Sequence, residues 1–226
     1  MNIKRTSIFA GAIGGFAIVG SAVAGMNGIS YDLHGEDLIA GTYTVRVYAE
    51  LDAGNRLDAV YGNQEFNMTL DYLDGASAYQ NGYGGPTSQA INSGFFGMAP
   101  SLEWDSYVTI GALYSDGTPF GSNALMDIGI DWTSFEGGGS IDTANGSWFV
   151  TPVDPQGGEI DNRVLVAQFT VIGGTGNGYE DIVGCMSFQG KDIDGNTFQN
   201  LNVCIPAPGA LALIGFAGIV GRRRRR

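Results

Sequence analysis

Residues 184–205 read GCMSFQGKDIDGNTFQNLNVCI. The Asp194-Gly195 pair near the middle is a strong signal for a two-residue type I′ turn between paired strands. Folding the chain about that turn makes the numbers of opposite residues add to 389. Phe188 then faces Leu201, Met186 faces Val203 and Gly184 faces Ile205 on one side of the hairpin. On the other side Ser187 meets Asn202, Gln189 meets Asn200 and Cys185 meets Cys204, with Phe198 opposite Lys191 as the exception. One assumed turn sorts apolar with apolar and polar with polar, and a slip of one residue would exchange the faces. The segment reads as an antiparallel hairpin with a single core-facing side.

The same period of two recurs upstream. Val45, Val47, Ala49 and Leu51 alternate with Thr44, Arg46, Tyr48 and Glu50, and Phe66, Met68, Leu70 and Tyr72 alternate with Glu65, Asn67, Thr69 and Asp71. Each pattern predicts a strand with one wet face. Further strands are expected at 107–113, 127–132, 147–150 and 164–172, the last apolar on both faces and therefore central. Residues 76–93 form the least regular stretch, a long loop. Glycine is 37 of 226 residues, more than twice the usual share of about 7%. No stretch of the middle holds a long helical period, and short strands between glycine turns predict an all-β antiparallel sandwich or jelly roll.

Cys185 and Cys204 are the only cysteines. The register makes them direct neighbours, which in an oxidising compartment predicts a disulfide, with two reduced thiols as the alternative. Counted from a two-residue turn, they form a hydrogen-bonded pair with Cα atoms about 5.5 Å apart.

That compartment is read from the two ends. Lys4 and Arg5 precede an uncharged apolar run, Ile8 to Val19, which ends in Ala22-Val23-Ala24. A basic start, an apolar run and a small-x-small ending make a signal peptide over residues 1–24, cut by signal peptidase between Ala24 and Gly25. At the far end, Pro206-Ala207-Pro208 stops regular structure, residues 209–221 are apolar and small, and Arg222, Arg223, Arg224, Arg225 and Arg226 close the chain. Thirteen residues as a helix span about 20 Å, short of the roughly 30 Å hydrocarbon layer, and the arginines hold that end in the cytoplasm. A proline turn, a short apolar helix and an arginine tail together resemble the PEP-CTERM sorting signal. The resemblance covers residues 205–226 and departs from the family pattern at Ala207, where the family has glutamate. It implies an exosortase-type membrane protease as partner, removal of the tail, and a final place at the cell surface or in the extracellular matrix. An ordinary tail anchor is the alternative. The expected organisation is a signal helix at 1–24, an acidic glycine-rich β-domain at 25–205, and a sorting or anchor segment with a short hydrophobic helix at 206–226, so that the membrane is met only through the terminal segments.

Between the ends the electrostatics are lopsided. All 23 acids lie in residues 25–205, against only Arg46, Arg56, Arg163 and Lys191, a net charge of −19. Such a field repels phosphate backbones and anionic lipid, which excludes nucleic acid as an expected partner, and it suits solubility in a salty medium. Asp192, Asp194 and Asn196 resemble the start of a calcium loop, but the twelfth position is Val203, which cannot close the shell. No cofactor is expected; calcium could be drawn to so acidic a domain elsewhere, at positions the sequence does not assign.

Catalytic signatures are sparse. His34 is the only histidine, with no nucleophile elbow, zinc-spaced cluster or phosphate loop beside it, and an enzyme is not expected. Trp104, Trp132 and Trp148 could form a stacking platform for an extracellular polysaccharide, with Asp105 and Asp131 adjacent as acceptors; core burial is the competing reading. The leading expectation is a structural or adhesion protein of the cell surface, and the alternative an extracellular carbohydrate-binding module, with glycoside-active chemistry behind both.

Overall fold

A computed structural model describes residues 25–73, 75–174 and 179–205. The two terminal segments, with Ala22, Ala24, Pro206, Ala207, Pro208 and the five arginines, lie outside the described residues. Twelve strands are described: β1 (Met26–Glu36), β2 (Thr42–Leu51), β3 (Arg56–Gly62), β4 (Met68–Tyr72), β5 (Ser77–Ala78), β6 (Tyr107–Val108), β7 (Met126–Ile128), β8 (Ile141–Thr143), β9 (Gly146–Phe149), β10 (Arg163–Ile172), β11 (Ile182–Lys191) and β12 (Thr197–Cys204). One short helix, α1 (Thr133–Glu136), joins them.

Two antiparallel sheets form an all-β sandwich, as the alternation predicts. The first runs β1-β2-β10 and then β5 and β6, both on the far side of β10. In the second, β11 carries β12 on one edge and both β3 and β4 on the other. Residues 63–67 separate β3 from β4, so the pair acts as one interrupted strand beside β11. β9 and β8 flank that pair in the same way, with β7 beyond β9. Between the sheets lie Val45, Val47, Ala49 and Leu51 of β2, the inward residues of β10, and Leu57, Val60, Trp148, Met186 and Phe188 of the second sheet. β10 is buried from Val164 to Val171 and is central, as its apolar run predicts. Met68 and Leu70 are buried as expected, while Phe66 lies before β4 and is only half-buried.

The terminal hairpin corrects one expectation and supports another. Lys191 pairs with Thr197, and the Asp192 N–H donates to Asn196 O, which leaves a three-residue loop of Ile193, Asp194 and Gly195. Gly195 sits at φ +83°, the left-handed residue that closes such a loop, in place of the two-residue turn. The Asp192 carboxylate accepts from the Asn196 backbone N–H at 2.7 Å and from its side-chain amide at 3.0 Å, tightening the turn. One residue is thereby lost from the register: Phe188 faces Asn200, and Phe198 lies over Gly190. That change removes the Phe198 exception, for Phe198 is buried and Leu201 is 48% exposed. A bulge beyond Phe188 then restores the lost residue, with Asn202 at φ +51° and its N–H on Ser187 Oγ. From there Met186 faces Val203 and Cys185 faces Cys204.

Two predicted strands are shorter than expected. Beyond Val108 the chain makes a tight turn in which the Ala112 N–H donates to Ile110 O, so 107–113 is a strand only at its start. Beyond Ile128 it leaves the sheet, and Trp132 O accepts from the Glu136 N–H to open α1. Among the described residues no helix is long and apolar enough to cross a membrane.

The outer face of the first sheet is covered in part. Thr44, Gln168 and Thr170 alternate with core residues and so point away from the sandwich interior, yet all three are fully buried. The chain between β5 and β7 covers them. Gln168 Nε2 donates to Glu103 O and Asp105 O, and Ser106 Oγ donates to Thr170 O. This cover has its own small core of Ile91, Leu102 and Tyr107, with Phe96 and Tyr114 packed against it.

Candidate functional site

The terminal hairpin ends in a covalent clasp. Cys185 and Cys204 are disulfide-bonded with Cα atoms 3.9 Å apart. The Ile205 N–H donates to Gly184 O, which makes Gly184 and Ile205 the hydrogen-bonded pair and Cys185 and Cys204 the closer, non-hydrogen-bonded one. The expected 5.5 Å spacing is corrected for that reason: the three-residue turn and the bulge change which pairs exchange hydrogen bonds. The bond lies on the outer side of the sheet, with Cys204 exposed and Cys185 half-buried. It fastens the last strand two residues before Pro206.

The three tryptophans sit on different elements. Trp148 on β9 is wholly buried and its Nε1 donates to Thr109 O at 3.0 Å, so its ring offers no face to a sugar, and the platform expectation is corrected there. Trp132, at the start of α1, is half-buried against Phe135 with its Nε1 on Asp127 Oδ1. Trp104 ends a short 3₁₀ turn over the outer face of the first sheet and leans on His34, with ring centroids 5.8 Å apart. No ring contact joins one tryptophan to another among the described residues. His34 is exposed on the edge strand β1, and partial desolvation with the Arg46 guanidinium beside it pushes its pKa down to about 4.

Asp105, beside Trp104, turns inward. Its carboxylate accepts the N–H groups of Asn81 at 2.7 Å, Ser106 at 3.0 Å and Gly85 at 3.2 Å, while burial pushes its pKa up to about 7 against those donors. These bonds tie two parts of the cover together and leave no face for a ligand. Asp192 and Asn196 bond to each other within the hairpin turn, and among the described residues no group of three or more His, Cys, Asp or Glu is placed to hold a metal.

The feature that sequence reasoning missed lies on the outer face of the first sheet. Arg46 and Tyr48 of β2 and Arg163 of β10 form the floor of a cavity of about 180 Å³. Leu113 and Phe120 of the cover line it as well, as does Asp161. Both arginines are held in place. The Arg46 Nε donates to Gln168 Oε1 at 3.0 Å. The Arg163 guanidinium lies 4.0 Å from the centre of the Tyr48 ring, and one of its terminal nitrogens pairs with Asp32 at 2.7 Å. Burial pushes the Tyr48 phenol above its ordinary pKa, with Arg46 and Arg163 opposing that rise. Ion pairs to carboxylates join Arg56 to Asp58 and Arg163 to Asp32; among the described residues Arg46 has none. The available signal was the scarcity of bases: two of only four in residues 25–205 meet at this spot.

No known family profile matches this chain, and no curated protein or solved structure is significantly similar to it.

Proposed function

We propose that this chain is an exported surface protein whose β-sandwich is a structural or adhesion component of the cell surface or extracellular matrix. In this reading residues 1–24 are a signal helix removed by signal peptidase, and residues 206–226 are a PEP-CTERM-like sorting segment with a short hydrophobic helix, processed by an exosortase-type protease. The observation that carries it is the Cys185–Cys204 disulfide at the foot of that segment. A disulfide belongs to an oxidising compartment, and here it fastens the strand from which the sorting segment departs. A protease can then work on the chain from Pro206 onward while the domain stays closed. No catalytic role is proposed for the sandwich, since Asp105, its most perturbed carboxylate, is committed to main-chain donors.

The test is the intact mass of the chain recovered from the cell envelope under non-reducing conditions. A mass beginning at Gly25, ending near Pro206 to Pro208 and lacking two hydrogens for the disulfide is expected. A chain that keeps Arg222 to Arg226 in the finished envelope would make the tail a permanent anchor, and one that keeps residues 1–24 would overturn export by signal peptidase.

A second reading, extracellular carbohydrate binding, is favoured by one observation: the cavity over β2 and β10 joins aromatic walls to fixed polar groups, the combination that small-molecule sites use. It replaces the tryptophan platform with a different set of residues. Both readings hold together if the surface protein adheres through that cavity.

A further inference from the structure

We propose that the cavity floored by Arg46, Tyr48 and Arg163 binds a single sugar ring bearing a carboxylate. The inference rests on the carbohydrate-binding reading and narrows it to an acidic sugar.

The first ground is the placement of Arg46. Gln168 is wholly buried, and its Nε2 already donates to Glu103 O at 3.0 Å and Asp105 O at 3.1 Å. Its carbonyl oxygen must therefore face the other way, where it takes the Arg46 Nε. That bond leaves the two terminal nitrogens of Arg46 to the cavity and to the hydroxyls of Tyr48 and Tyr114 beside it. A guanidinium fixed through Nε presents a planar fork of donors, the geometry that a carboxylate meets with two parallel bonds.

The second ground is charge. The domain has 23 acids to satisfy four bases, so a carboxylate partner is easy to supply, and Arg56 and Arg163 each have one. Arg46 is half-buried without one among the described residues, and an incoming carboxylate would complete it. Arg163, oriented by Asp32 and stacked on Tyr48, adds a second positive charge to the same floor. At a net charge of −19 the domain repels anions from a distance, so attraction to this cavity is local and calls for direct contact.

The remaining features select a sugar over a simple anion. Phe120 and Leu113 offer apolar surface to the C–H face of a ring, and the Asp161 carboxylate can accept hydroxyl protons. A cavity of about 180 Å³ lies below the roughly 300–1,000 Å³ of sites for drug-sized ligands, a size that suits one ring. A ligand with a carboxylate, several hydroxyls and one apolar face matches all of these. Free sugar acids and the end residue of an acidic polysaccharide share that chemistry.

The test uses the protein purified in its exported form, titrated calorimetrically with sodium glucuronate, with glucose as the same ring lacking the carboxylate, and with a short oligomer of uronic acids. Glucuronate is expected to bind at least tenfold more tightly than glucose. Arg46→Gln is expected to weaken glucuronate binding at least tenfold, well beyond any loss for glucose, while Lys191→Gln alters neither. Oligomer binding as tight as the monosaccharide assigns a polysaccharide end as the source, and binding of the monosaccharide alone assigns a free sugar acid. Equal affinity for glucuronate and glucose would overturn the acidic-sugar inference and leave carbohydrate binding standing. Absence of binding by every sugar at millimolar concentration would overturn both. Undiminished glucuronate binding by an Arg46→Gln protein that melts like wild type would overturn the site. Should Arg46→Gln fail to fold, Phe120→Ala and Asp161→Asn take its place, the second suited to the left-handed backbone at φ +55°. If neither variant weakens glucuronate binding, the site is likewise overturned.

Discussion

Replacing Cys185 and Cys204 together by alanine isolates what the covalent clasp contributes. The bond joins residues 19 apart in sequence. Closing a loop of that length removes about 11 cal/mol/K of chain entropy from the unfolded state, or about 3 kcal/mol at room temperature. The native side of the balance changes little, because Cys204 is exposed and Cys185 half-buried, so truncation opens no cavity. The hairpin keeps its backbone ladder and its buried Met186, Phe188 and Phe198. Urea denaturation of wild type and double variant should therefore show a loss of about 3 kcal/mol. The double variant should also have a larger m value, since an uncrosslinked unfolded chain exposes more surface. For a domain of this size the loss corresponds to a fall of about 6–12 °C in Tm. Adding reductant to wild type should reproduce it. A double variant within about 0.5 kcal/mol of wild type would refute the reasoning, since the typical disulfide contribution is several times larger. An equal loss with an unchanged m value would refute it differently, by showing that the folded hairpin had been damaged.

Other expectations follow from single contacts. Trp148→Ala should cost about 3–5 kcal/mol in the same urea assay, because the ring is wholly buried and Thr109 O would lose its donor. Gly190→Ala should cost about 1–3 kcal/mol, since a Cβ there would overlap the Arg56 carbonyl oxygen and the Phe198 ring; a variant as stable as wild type would show that the β3 backbone can shift as well as Phe198 move aside. His34 should titrate near pH 4 when its ring protons are followed by NMR, against about 6.5 in a peptide, and Arg46→Met should move the midpoint upward. The unfolded chain binds that proton at a higher pH than the folded one, so the stability associated with neutral His34 is present above about pH 6.5 and lost as the pH falls towards 4. A midpoint unmoved by the loss of Arg46 would mean that the guanidinium does not act on the ring.

Strands were legible where the ladder is regular and hidden where it is not. β2 keeps strict alternation through Leu51, and β10 is apolar enough to mark a central strand despite a bulge near Leu165. β1 escaped notice because its register shifts twice, between Met26 and Gly28 and between Leu33 and Gly35, so its buried residues do not hold a period of two. In β3 a similar irregularity buries Leu57 and Asp58 in succession, with the Asp58 carboxylate held by Arg56 Nε at 2.6 Å. A buried acid beside a buried leucine gives no strand signal in a pattern that counts only apolar residues. The terminal hairpin shows the same physics with a different outcome. Its turn contains one residue more than a two-residue loop, and the bulge at Leu201 and Asn202 offsets it, so the cysteines meet although the pairs nearer the turn differ.

The candidate site was hidden for a topological reason. A period of two places Arg46 and Tyr48 on the outer face of β2, and an outer face normally meets water. What converts that face into a cavity floor is the long chain between β5 and β7, whose only regular pieces are short 3₁₀ turns and the two-residue β6 and which so carries little pattern to read. Its own polar groups do the fastening: Asp105 gathers three N–H groups, and Glu103 O and Asp105 O fix Gln168. The loss of water around Tyr48, Tyr107 and Gln168 is the consequence, and it changes what an arginine there can do. In water Arg46 would be one more solvated cation on an acidic surface. Beneath the cover its fork is oriented and partly desolvated, and a carboxylate delivered to it gains a stronger bond than the same pair would make at an open surface. The scarcity of bases in the domain then matters most at the place where the fold has sheltered two of them.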